Sequence, residues 1–257
     1  MRLRLSLTCK KGAVLALNNR YELSAVLYKI LEKADSNFSN WLHNKGYTAD
    51  GRNFKLFTFG WLDAYPYTLG DGVHITKEGK VTWELSFCVD KIIEHFVVGI
   101  FQDAQFELKA GFQEKVHFKV ENVEILKMPI FTGSMRYSCA TAILIGQKQE
   151  DSRNEKYLSP LDADFEHLFL HNLRGKVMAA QGEAFVDSDA LAFRLLSPPE
   201  KVKRKPFEVY KDKQKLRYIP YAFDFELTAP IEWQKIGYLA GFGQDNALGI
   251  GMCQFLK

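Results

Sequence analysis

The strongest constraint on this chain is a change of hydrophobic period that occurs in the same order twice. Residues 2–9 alternate apolar with charged or polar side chains, the period-two pattern of a half-buried strand. Leu23, Val26, Leu27, Ile30, Leu31 and Ala34 then recur at helical spacing, which predicts an amphipathic helix over 20–34. A second short helix is expected over 37–45, stopped by Gly46. Polar residues 47–53 read as a loop into a strand over 54–60, with Lys55 at its start, and 81–88 alternates as another strand. Asp90 is placed to cap a helix over 91–101, and 105–109 and 115–127 read as extended.

The second half repeats the order: a strand over 134–146, a helix over 160–180 capped by Ser159, strands over 203–211 and 216–227, a helix over 232–241 behind Pro230, and a last strand over 247–256. On the second helix Phe165, Leu168, Phe169 and Asn172 fall at helical spacing. Two rounds of β-α-β-β-α-β predict an α+β protein of tandem ferredoxin-like domains, each an antiparallel sheet with two helices on one face. No repeat is visible in the residues themselves, so the duplication is one of pattern. The expected domains are 1–125 and 126–257, since Pro129 and Gly133 interrupt the pattern between about 118 and 133. The ferredoxin-like sheet is also the scaffold of the RNA recognition motif (RRM), although the aromatic signature of that module has no match here.

No apolar run approaches the roughly 18 residues that span a bilayer. The alternating N-terminus is unlike a signal peptide, and the four cysteines are too widely spaced for a Cys-x-x-Cys pair. A cytoplasmic protein with reduced cysteines and no membrane association is expected. Net charge is only +3, but residues 201–217 alone carry +6, leaving −3 on the other 240. The cations are Lys201, Lys203, Arg204, Lys205, Lys211, Lys213, Lys215 and Arg217. A concentrated basic strip on a near-neutral body suits a polyanion, while a solvated hairpin would show the same lysines.

Residues 237–251 hold five of the eighteen glycines. The pairs Gly241/Gly243 and Gly249/Gly251 bracket Gln244, Asp245 and Asn246. Such a loop can bring backbone N–H groups close to an anion, or can simply turn tightly against a sheet. It runs from helix to strand, the reverse of the dinucleotide fingerprint. His167 and His171 are four apart on a helix but lack the acid and third ligand of a zinc site.

Three residues in the first half suffice for one reaction. Tyr28 lies about 130° around the helix from its apolar stripe, so packing on its own module does not explain it, and it is free to cover a neighbour. His43 ends the second helix and Lys55 begins the next strand. Cleavage of RNA by its own 2′-OH needs a base, an acid and positive charge on the phosphate. Histidine and tyrosine can exchange the protons and lysine can supply the charge.

With these residues the chain resembles the CRISPR repeat-RNA-processing endoribonuclease family, whose members join two ferredoxin-like modules. Tyr21-Glu-Leu-Ser-Ala-Val-Leu-Tyr28 is similar to its first helix, and Leu42-His43 with Lys55-Leu-Phe57 to its histidine and lysine. Gly241-Phe-Gly-Gln-Asp-Asn-Ala-Leu-Gly-Ile-Gly251 is similar to its C-terminal glycine-rich signature. The resemblance implies a metal-independent endoribonuclease without cofactor, cutting precursor CRISPR RNA within repeats to leave 5′-hydroxyl and 2′,3′-cyclic phosphate ends. Tyr28, His43 and Lys55 would be catalytic. Lys203, Arg204, Lys205, Lys211, Lys213, Lys215 and Arg217 would hold the repeat RNA, with Gly241, Gly243, Gln244, Asn246, Gly249 and Gly251. Interference-complex subunits are further expected partners, and a monomer or homodimer is the expected state. The alternative is a non-catalytic RNA-binding subunit of an interference complex.

Overall fold

A computed structural model describes residues 1–70, 72–109, 115–149, 152–211 and 214–256. In the first half the elements are β1 (Arg2–Cys9), β2 (Val14–Leu15), α1 (Arg20–Ala34), α2 (Ser36–Asn44), β3 (Tyr47–Ala49), β4 (Arg52–Phe54), β5 (Phe57–Leu69), β6 (Val73–Phe87), α3 (Asp90–Gln102), β7 (Gln105–Lys109) and β8 (Lys115–Ile125). The second half holds β9 (Ser134–Cys139), β10 (Gly146–Gln149), β11 (Ser152–Tyr157), α4 (Phe165–Gln181), β12 (Ala192–Leu195), β13 (Lys203–Arg204), β14 (Phe207–Lys211), β15 (Gln214–Tyr218), β16 (Tyr221–Ala222), β17 (Asp224–Thr228), α5 (Ile231–Ala240) and β18 (Cys253–Phe255).

The two main sheets share one topology. In the first, β5, β6, β1 and β8 lie side by side and antiparallel, with β7 added beyond β8. In the second the corresponding order is β12, β17, β9, β18. Both are the ferredoxin-like order, with the first strand central and the third beside it. Period-two alternation places Leu3, Leu5 and Leu7 of β1 under α1 and α3, in a core that also takes Leu27, Phe57, Trp83 and Phe96. The second core gathers Tyr137, Phe165, Phe169, Phe225 and Phe242.

The opposite face of the first sheet explains how the halves join. Arg2, Thr58 and Ser86 point away from the helices yet are at most 3% exposed. The Arg2 guanidinium stacks 3.4 Å over the Tyr238 ring and donates to the Tyr238 carbonyl at 2.7 Å. Ser86 Oγ donates to the Leu239 carbonyl at 2.8 Å, and Thr58 Oγ1 to that of Ile250 at 2.9 Å. Buried polar groups are thus satisfied across the junction. The surface that the RNA recognition motif leaves open for bases is, at this end, covered by the second half.

Several local expectations are corrected. Residues 47–54 form a hairpin: Asp50 and Gly51 both take φ > 0, at 49° and 68°, the turn geometry that Asp-Gly favours between antiparallel strands. Lys55 therefore does not start β5; it lies in the two-residue link between β4 and β5, where Leu56 has φ 56°. Asp90 is the first residue of α3 rather than its cap, and no side chain caps that helix. Helix α4 begins at Phe165, because Ser159 and Asp162 hydrogen-bond each other's neighbourhood into a turn, Asp162 accepting from the Ser159 amide at 2.7 Å. The 134–146 strand stops at Cys139. The closing strand keeps only three residues, since 246–248 coil into a 3-10 turn. Among the described residues no helix is long and apolar enough to cross a membrane.

Candidate active site

Helices α1 and α2 are separated only by Asp35, whose Oδ1 accepts from the Phe38 amide at 2.9 Å and so caps α2. Ser39 Oγ donates to the Tyr28 carbonyl at 2.9 Å, which fixes the register of one helix on the other. Phe38, Ser39 and Leu42 are the buried side of α2, and His43, one residue further round, is exposed beside α1. The result is an edge-on contact of the Tyr28 and His43 rings, centroids 4.8 Å apart. Tyr28 also packs edge-on against Phe57 at 5.8 Å. Its position is a correction: Tyr28 is half-buried against the core of its own half, not turned away to cover a neighbour. Burial holds its phenol far above the ordinary range, so the hydroxyl stays protonated at neutral pH.

Lys55 closes the site. Its Nζ donates to the carbonyls of His43 at 2.8 Å and Lys45 at 3.3 Å, two of the orphan acceptors at the end of α2. An ammonium has three N–H groups, so one is left for a ligand. Partial burial lowers the Lys55 pKa from its ordinary value. The approach depends on Gly46, at φ 68°: a Cβ there would lie 2.6 Å from the Phe54 carbonyl oxygen and 3.2 Å from Lys55 Cδ. Tyr28, His43 and Lys55, spread over 28 residues of chain, thus converge on the C-terminal end of α2.

Lys55 also lines a cleft of about 680 Å3 between the halves, with Arg52, Lys148, Asn172, Lys176, Gln244 and Asp245. Here lies the residue sequence reasoning missed. Lys176 of α4 is 3% exposed, and its Nζ donates to the Gly241 carbonyl, to that of Gly243 at 2.5 Å and to Asn246 Oδ1 at 2.6 Å. Burial pushes its ammonium down to about 7. Its neighbour one turn earlier, Asn172, was visible as a polar residue inside the apolar stripe of α4.

The glycine-rich loop is held inside rather than displayed. Gly241, Gly243, Gly249 and Gly251 are buried, and a Cβ at Gly249 would enter the Phe59 ring of β5. Asn246 is 8% exposed and fully committed, its Nδ2 donating to the carbonyls of Phe242 at 3.0 Å and Ile250 at 2.9 Å. The Gly249 carbonyl accepts from Arg20 Nη1, whose guanidinium lies 3.6 Å over the Trp61 ring. The glycines therefore serve chain-to-chain packing. Gln244, half-buried, and Asp245, exposed at the cleft, are what the loop presents; crowding by the cleft walls and the nearby Glu155 carboxylate push the Asp245 carboxyl up to about 6.

Lys203 and Arg204 of β13, Lys205 in the link to β14, and Lys215 and Arg217 of β15 are exposed. Lys215 is ion-paired with Glu208 at 2.9 Å. Lys213 lies outside the described residues, as does the side chain of Lys211. Asn18 donates to the Glu208 carbonyl at 2.7 Å, tying the hairpin to the first half. The His167 and His171 rings stack 6.3 Å apart beside Arg174. Among the described residues no three His, Cys, Asp or Glu side chains assemble in a way that could hold a metal.

Comparison with known proteins bears on both halves. A family model for the N-terminal part of the CRISPR-associated protein Cas6 matches residues 14–124, and one for its C-terminal part matches residues 113–255. The CRISPR-associated endoribonuclease Cas6 1 of Methanocaldococcus jannaschii is 26% identical over 98% of this chain and 91% of its own. The CRISPR-associated endoribonuclease Cas6 of Pyrococcus furiosus is 25% identical over 91% of this chain and 81% of its own. A solved structure of a Cas6-related protein from Pyrococcus furiosus superposes with a TM-score of 0.76 at 20% identity, covering all of this chain and 98% of that one, and shows the same fold.

Proposed function

The chain belongs to the Cas6 family of CRISPR-associated proteins, and on that premise we propose that it is an endoribonuclease cutting precursor CRISPR RNA within its repeats without a metal ion. The observation that carries the chemistry is the convergence of Tyr28, His43 and Lys55 at one end of α2.

The 2′-oxygen attacks the adjacent phosphorus, forming the O2′–P bond as the P–O5′ bond breaks. His43, solvent-exposed, takes the proton of the 2′-OH. Tyr28, kept protonated by burial, is unsuited to that role but can give its proton to the departing 5′-oxygen, a still stronger base. The spare N–H of Lys55 meets the phosphoryl oxygens as charge builds there. The products are a 5′-hydroxyl and a 2′,3′-cyclic phosphate, and ring contact between His43 and Tyr28 gives the proton a short way back. RNA beyond the cut would lie across the exposed Lys203, Arg204, Lys205 and Arg217, with Gln244 at the cleft.

Incubation with repeat RNA in excess EDTA tests this reading. Cyclic-phosphate product is expected from the wild-type protein, and a rate lower by roughly 10²–10⁴ from His43→Ala with RNA affinity retained. Tyr28→Phe, which keeps both ring contacts, should fold normally and cut slowly. Full activity in either variant, or no cyclic phosphate from the wild type, would refute the assignment.

A further inference from the structure

A neutral imidazole carries one N–H and one lone pair, and only the nitrogen with the lone pair takes a proton. Left to water, a histidine side chain favours the hydrogen on Nε2, which makes Nδ1 the base. Nδ1 sits on the inner side of the ring beside its own backbone, and Nε2 at the outer end that a phosphodiester meets first. Which nitrogen is free is set by the hydrogen bond that the other one makes.

Here the bond is made by the next residue. His43 Nδ1 lies 3.1 Å from Oδ1 of Asn44, the last residue of α2. An amide oxygen only accepts, so the hydrogen is on Nδ1 and the lone pair on Nε2. The other groups at this helix end leave that bond alone. Lys55 Nζ donates to the carbonyls of His43 and Lys45, and Tyr28, its hydroxyl kept protonated by burial, meets the imidazole edge-on. Asn44 also carries no charge. A carboxylate in its place would hold the imidazolium and keep the base occupied, whereas an amide selects the tautomer without that attraction. When Nε2 takes the 2′-OH proton, the donor at Nδ1 becomes cationic, and such hydrogen bonds are roughly twice as strong as neutral ones. The contact therefore tightens as the proton moves, which is where it favours the reaction.

We propose that Asn44 is a positioning residue: its Oδ1 holds His43 with the hydrogen on Nδ1, so that Nε2 is the atom that takes the 2′-OH proton. The inference rests on the nuclease reading above and deepens it to a single atom.

The test uses the full chain and two kinds of measurement. Nitrogen-15 NMR of the imidazoles, without RNA and at a pH where His43 is neutral, reads the tautomer, with His43→Ala giving the assignment. In the wild type Nδ1 should show the shift of a nitrogen bearing hydrogen and Nε2 that of one without; in Asn44→Leu both should move toward the reverse. In single-turnover cleavage Asn44→Leu should be slower by roughly tenfold at most, because both side chains are exposed and water competes for the bond, with RNA affinity unchanged. Asn44→Asp keeps an acceptor in the same place. It should retain the wild-type tautomer and recover the rate at alkaline pH, while its carboxylate moves the rise of rate with pH to higher pH. A wild-type Nδ1 without hydrogen overturns the proposal. So does an Asn44→Leu protein with the wild-type spectrum or the wild-type rate, or an Asn44→Asp protein as slow as Asn44→Leu at every pH. Failure of the wild type to cut repeat RNA sinks the nuclease reading separately, and the spectra then still decide which nitrogen Asn44 holds.

Discussion

Replacing Lys176 by Met removes a charge from the interior and should change how stability depends on pH. Burial pushes the Lys176 ammonium from an ordinary 10.5 down to about 7, against the weaker pull of Cys88, Cys253 and Asp245. Between those values the unfolded chain binds this proton and the folded chain gives it up, leaving Nζ two N–H groups for its three acceptors. Stability therefore rises with pH across that window, and below about 7 both states are protonated and the slope vanishes. Each pH unit within the window corresponds to about 1.4 kcal/mol. Integrated from pH 7 to 9, where the folded group is half and then fully deprotonated, the gain is about 2 kcal/mol. Asp245, at about 6 in the folded state, titrates below this range. The Cys88 thiol, pushed up to about 11, is present in both proteins. The assay is urea unfolding under reducing conditions at pH 7, 8 and 9 for wild type and Lys176→Met. The free-energy difference should move by about 2 kcal/mol in favour of the wild type as pH rises. Parallel pH profiles would show that the three acceptors on the glycine-rich loop hold Lys176 as an ordinary ammonium, and would refute the argument.

Gly46→Ala should cost about 1–2 kcal/mol of stability for its left-handed backbone alone. It should also slow cleavage by displacing Lys55, since its Cβ would press on Phe54 and Lys55; an unaltered single-turnover rate in the folded variant would argue against that. Neutralising Lys203, Arg204 and Lys205 together should weaken all RNA sequences alike and flatten the log–log salt dependence by about 2, near 0.7 for each single-strand phosphate that no longer meets a cation. Lys215→Ala should do less, because Glu208 already partners that lysine; equal weakening from both would show that the pairing breaks on binding.

Much of this arrangement was legible locally. The alternation in β1 and the 3.6-residue spacing in α1 are properties of short windows, and both elements fall at their expected places. The ferredoxin-like order and the glycine-rich resemblance were readable too, but in the second half the strand beside β17 is β12 (Ala192–Leu195), where none was expected, and 203–211 pairs with 214–222 outside the main sheet. The hairpin over 47–54 carried its own signal in Asp50-Gly51, overlooked because its strands are only three residues long.

What the chain determines by itself is therefore the main elements of its first half, the ferredoxin-like order and the chemical types near the first helix. Tertiary structure decided the rest. The register of α2 on α1 brings Tyr28 against His43, and Leu56 at positive φ aims Lys55 back at a helix end. Burial of Lys176 and Asn172 and enclosure of the glycine-rich loop depend on how one half seats upon the other. The physical reason is separation: periodicity reports which way a side chain faces on its own element. Lys176 meets Asn246 and Thr58 meets Ile250 across 70 and 192 residues, where only packing of the whole molecule sets the distance.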